Sequence, residues 1–110
     1  MISASQMLPI LIEACPSFQS TEELHYVALG DFAQHLFELY QRKQTQSFSA
    51  IGEAIERLHV EGDHYVREAA TIGLLEGIQN VWGNQDVDPE LFTPYLLPES
   101  LKCWDKLNAF

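Results

Sequence analysis

Three of the four histidines follow a glutamate by three positions: Glu22-x-x-His25, Glu56-x-x-His59 and Glu61-x-x-His64. Residues three apart on a helix share a face. Two such pairs plus two further carboxylates inside a four-helix bundle are the donor set of a di-metal centre. That chemistry needs both motifs mid-helix and turned inward. The first falls at a helix start, and Gly62-Asp63 splits the third. Only Glu56 and His59 fall in a helix interior, where the apolar spacing turns Glu56 outward and leaves His59 at the edge of the core as a hydrogen-bonded histidine. A metal-dependent helical-bundle enzyme therefore stands only as an alternative. Asp31, His35 and Glu38 share another helix face and could form a metal or acid–base group, but that face is the polar one, so solvated side chains are expected there. Cys15 has no histidine assigned beside it to activate a thiolate. The sequence has no glycine-rich phosphate loop, no G-x-S-x-G and no basic stripe with aromatics. The residues thus name no catalytic group, metal or cofactor, and the expectation is a protein that is not an enzyme.

Charge says more about partners. Six Lys and Arg oppose sixteen Asp and Glu in 110 residues, a formal charge of −10. Phosphate backbones and anionic lipid surfaces are held chiefly by Lys and Arg, so neither nucleic acid nor a membrane is an expected partner. A basic protein surface is the electrostatic complement. The carboxylates expected to meet it are Asp31, Glu38, Glu53 and Glu56, with His35 among them. Cys15 and Cys103 form no C-x-x-C pair, which fits a reducing cytoplasm. The apolar run Met7 to Ile12 has no basic flank and is interrupted by Glu13, so a signal peptide is not expected. No stretch reaches the ~18 apolar residues of a membrane span.

These residues need helices to position them. A first helix is expected within Ser5–Ala14, capped by Ser5 or begun at Pro9. A second runs from a cap at Ser20 or Thr21 to about Lys43. Its inner face is Leu29, Phe32, Ala33, Leu36, Leu39 and Tyr40, and its outer face is Asp31, Gln34, His35, Glu38 and Arg42. Glu38 and Arg42 have the order for an i,i+4 ion pair. Ser47 caps a third helix, Phe48 to Glu61, with Glu53 and Glu56 pointing away. Gly62 ends it as a left-handed cap residue, and Asp63 caps the next, so helices three and four read as a tight antiparallel hairpin. The stretch Asp63 to Trp82 is apolar nearly all round, which marks a buried central helix. Ala69, Gly73 and Gly77 recur every four residues along it, a groove for a close helix crossing. Asp88-Pro89-Glu90 starts a short helix, and a last one from about Pro98 to Asn108 turns Leu101, Trp104 and Leu107 inward. The class is all-α: one helical domain over residues 1–110, a small bundle of four main helices plus a short one. A homo-oligomer is the alternative assembly, sealed by Trp82, Phe92 and Tyr95.

Two resemblances attach to these segments. Asp63-His-Tyr-Val-Arg-Glu-Ala-Ala-Thr-Ile-Gly-Leu-Leu75 resembles the second helix of a HEAT repeat. Leu29-Gly-Asp-Phe-Ala33, Glu61-Gly-Asp-x-Tyr-Val-Arg67, Ala70-Thr-Ile-Gly-Leu-Leu-Glu-Gly-Ile-Gln-Asn80 and Pro98-Glu-Ser-x-x-x-Trp104 together resemble small uncharacterised bacterial helical proteins. That second resemblance implies a domain of unknown function of the immunity-protein kind, and it assigns no catalytic residue. The reading that follows is a small acidic cytoplasmic protein that binds another protein, such as an immunity-type inhibitor of a basic toxin.

Overall fold

Apolar residues repeat at helical spacing through most of the chain. In the computed structural model, which describes residues 1–109, these repeats close into six α-helices with no strand among the described residues. They are α1 (Ala4–Ala14), α2 (His25–Gln41), α3 (Phe48–Glu61), α4 (His64–Glu68), α5 (Glu76–Asn84) and α6 (Pro98–Asn108). A π-helical segment, Ala69–Leu75, joins α4 to α5, and a 3₁₀ segment, Pro89–Tyr95, precedes α6. The backbone stays helical at both ends of the π segment, so His64–Asn84 is one continuous rod, the expected central helix. The widened turns inside it are not visible in apolar spacing.

Small residues explain how the rod packs. A Cβ on Gly73 would stand 2.7 Å from Leu29 Cδ1 and 3.2 Å from Tyr26 Cδ1, and one on Gly77 3.5 Å from Ala33 Cβ. Farther along, Trp82 meets Phe37 and Tyr40, with ring centroids 6.1 and 5.0 Å apart. Residue numbers rise together on both sides, so α2 and the central helix run in the same direction, in close contact through the glycines. The first half of the rod also packs on α3, the π segment touches α6, and α1 lies on α3.

Several local expectations change. Among the described residues there are six α-helices rather than four and a short one, and the hairpin of helices three and four is only partial. Past the π segment the rod follows α2 and the 3₁₀ segment. Gly62 is not left-handed; it is extended, with φ −71° and ψ 151°. It is glycine because a Cβ there would collide with the Leu58 carbonyl and the Val66 side chain. Asp63 does cap the rod, accepting from Val66 N at 2.9 Å. Across this corner lies Ile2, whose N–H donates to Glu61 O at 2.7 Å and whose carbonyl accepts from Asp63 N at 2.8 Å. Ser3, not Ser5, stands at the start of α1, and its N–H donates to Gln6 Oε1 at 2.9 Å. Pro9 lies inside that helix. α2 begins at His25 because Ser20 and Glu22 spend their side-chain oxygens on the backbone of residues 22–24 instead of capping a helix. Trp82 and Phe92 are fully buried, which removes them from any interface, whereas Leu101 is exposed.

Candidate functional site

Glu56 lies on the third turn of α3, and the first residues of α6 come down on it. Its carboxylate accepts from Ser100 N at 2.9 Å, from Ser100 Oγ at 2.9 Å and from Glu99 N at 3.1 Å. Pro98 and Leu97 have no side chain able to do this, so an acid from another helix satisfies the free N–H groups at the start of α6. Glu56 therefore does not point away from the fold; it is turned onto α6. Burial pushes its carboxyl up, and the three hydrogen bonds, with His59 nearby, outweigh that and hold it below its ordinary value.

His59, one turn on, is buried between three elements. Its Nδ1 lies 3.1 Å from Ile55 O and 2.9 Å from Ser100 Oγ, and its Nε2 lies 3.0 Å from Thr71 Oγ1. A carbonyl can only accept, so the proton belongs on Nδ1. Ser100 then gives its own proton to Glu56, and Thr71 donates to Nε2. The chain Thr71–His59–Ser100–Glu56 is fully satisfied with the imidazole neutral, and burial lowers the His59 pKa against the opposing pull of Ile55 O, Glu56 and Glu99. Thr71 belongs to the π segment, so this network ties that segment to α3 and α6. Every proton in it already has an acceptor inside the protein.

The other glutamate–histidine motifs separate. Glu22 accepts from Glu23 N and Leu24 N at 3.0 and 3.1 Å, while His25 Nδ1 lies 3.1 Å from the Tyr65 hydroxyl. Glu61 pairs with Arg57 at 3.2 Å, and His64 faces Glu68 at 3.5 Å. Among the described residues no group of three or more His, Cys, Asp or Glu is gathered where it could hold a metal.

Asp31, His35 and Glu38 remain together on the outer side of α2. At about 100° per residue, Leu24, Val27, Asp31, Gln34, His35 and Glu38 fall within a stripe roughly 100° wide. Asp31 is exposed and Glu38 half-exposed. Among the described residues the ion pair expected between Glu38 and Arg42 does not form; the Glu38 carboxylate accepts from Gln34 Nε2 at 3.5 Å. His35 Nε2 lies 2.8 Å from Ser17 Oγ, and the ring leans on Phe18 with centroids 5.6 Å apart. Burial lowers its pKa against the Glu38 carboxylate, with Arg42 adding to the lowering. Glu53 stands apart, exposed on α3 beside Glu13 and Ala14 of α1. The five candidate residues thus lie in three places: the α2 stripe, the α1–α3 groove and the N-terminus of α6. Leu24 and Val27, 66% and 46% exposed, extend the same stripe and were not among the expected partner-binding residues. Their signal was present in the sequence, because they continue the Asp31–Glu38 spacing backward by one and two turns.

The family model described as a domain of unknown function (DUF7674) matches residues 8–110. The chain belongs to the DUF7674 family. The matched span contains the α2 stripe, Glu53 and the whole Glu56–His59 network. No curated protein and no solved structure matches the chain. Membership in DUF7674 fits the resemblance to uncharacterised helical proteins and supplies no activity.

Proposed function

We propose that this chain is an acidic protein-binding domain that covers a basic protein surface, in its most specific form an immunity-type inhibitor of a basic toxin. The observation that carries this reading is the state of the outward carboxylates. Asp31, Glu38 and Glu53 have no cation at ion-pair distance. Among the described residues the ion pairs are Arg57–Glu61, His64–Glu68 and Lys102–Glu99. In a chain of net charge −10 the remaining acids produce a one-sign field. Such a field speeds encounter with a basic partner. Charge pairs desolvated on contact can couple by about 1.5–7 kcal/mol. Inhibition would follow from occlusion, which needs no catalytic group in the inhibitor. The resemblance to small uncharacterised bacterial helical proteins implies the same kind of role.

The test is co-expression with the product of the adjacent reading frame. Restored growth against a toxic neighbour, together with co-purification of a complex whose association slows as salt rises, is the expected result. Neither rescue nor co-purification would overturn the reading.

A further inference from the structure

The outer stripe of α2 changes character along its length. Leu24 and Val27 sit at its beginning, both exposed, and neither belongs to the core. Asp31 follows one turn later and Glu38 two turns after that, without cationic partners. From Leu24 to Glu38 the stripe is about 21 Å long at 1.5 Å per residue. The opposite face of α2 is fully committed, with Leu29 and Ala33 against Gly73 and Gly77.

We propose that this stripe is the docking strip for a basic amphipathic helix of the partner, with apolar side chains covering Leu24 and Val27 and lysines or arginines meeting Asp31 and Glu38. The proposal rests on the protein-binding reading above and adds its place and the shape of its occupant. A strip about 100° wide and four turns long matches the apolar face of a single helix. Charge complementarity selects a basic one. His35, held toward neutrality by burial, does not offset the two carboxylates beside it. A second copy of this chain fits poorly. A two-fold axis near Asp31 would set Leu24 of one copy against the Glu38 carboxylate of the other and Asp31 against Asp31, and each copy carries −10.

The probe is a 15-residue synthetic leucine–arginine peptide of helical periodicity, with a scrambled peptide of the same composition as control. Amide chemical shifts of the full chain are followed during titration. Saturable shifts confined to residues 24–38 and their neighbours are expected, at least tenfold stronger with the amphipathic peptide than with the scrambled one. The double variant Leu24→Ser, Val27→Ser keeps the net charge and changes only exposed side chains. It should lose tenfold or more in affinity while its circular dichroism is unchanged. Equal binding of both peptides, indifference to the double variant, or no saturable shift would overturn the strip. Shifts centred instead on Glu13 and Glu53 would also overturn it, yet leave the acidic-binding reading standing. That reading fails separately, in the co-expression experiment.

Discussion

The α3–α6 junction and the outer stripe of α2 contain the same kinds of residue, acids and a histidine at helical spacing, and the fold treats them in opposite ways. At the junction Glu56 receives two backbone N–H groups and a hydroxyl, and His59 has partners on both ring nitrogens. On α2 Asp31 is exposed, and Glu38 is half-exposed with a long 3.5 Å hydrogen bond from Gln34 Nε2. What separates them is whether a helix start docks overhead. The junction draws its polar groups into stability, while the stripe leaves Asp31 and Glu38 on the surface.

The comparison is sharpest on the two faces of α2, and there the largest effect is expected. Gly73→Leu drives a side chain into Leu29 and Tyr26 at the crossing, and overpacking of this kind costs about 1–3 kcal/mol or more. Its melting temperature should fall clearly below that of Glu53→Leu, which alters an exposed position. Equal melting points would mean that α2 is not seated on the glycines.

Next is Glu56→Ala, which strips the N-terminus of α6 of its acceptor. The expected loss is about 1–2 kcal/mol, in the range of a helix cap. Chemical denaturation measures it, and a loss below a few tenths would show that water replaces the carboxylate.

The pH dependence follows from the same network. His59 is lowered below its ordinary 6.5, so the unfolded chain binds the proton first on acidification. Stability from the neutral imidazole is complete above about pH 6.5 and is lost as pH falls through the folded value, no more steeply than about 1.4 kcal/mol per pH unit. His35, also lowered, acts in the same sense. The Glu56 contribution is held above its ordinary 4.5 and is lost only as pH falls through its own, lower folded value. A His59→Gln variant should flatten the upper step in denaturation midpoints and leave the lower one. An unchanged upper step would assign it to His35 instead.

The smallest effect is expected on the stripe itself. Asp31→Ala with Glu38→Ala should change stability by less than about 0.5 kcal/mol, as for surface residues without partners. A larger loss would mean that the stripe belongs to the fold after all.

Sequence spacing showed the helical class, the limits of α3, the Asp63 cap and the glycine face of the central helix, because each is a local pattern with one physical meaning. It misplaced what depends on distant chain. Glu56 looks outward by periodicity alone; only α6, more than forty residues later, turns it inward. The expected start of α2 falls three or four residues early because Ser20 and Thr21 are good caps, yet Ser20 accepts from the Glu22 N–H in a local turn. The π segment leaves no signature in apolar spacing, since Ala69, Ala70, Gly73, Leu74 and Leu75 are buried in either helical geometry. Trp82 and Phe92 carry no sequence mark that separates a core aromatic from an interface one.

The pairing of Ile2 with the corner at Gly62 bears on where this domain can be cut. The family match starts at residue 8, so a chain trimmed to that boundary keeps the whole matched span and discards the segment that bonds Glu61 O and Asp63 N. Those two groups flank the residue where α3 hands over to the central rod. A boundary drawn at residue 8 would leave this corner without its two backbone bonds to Ile2.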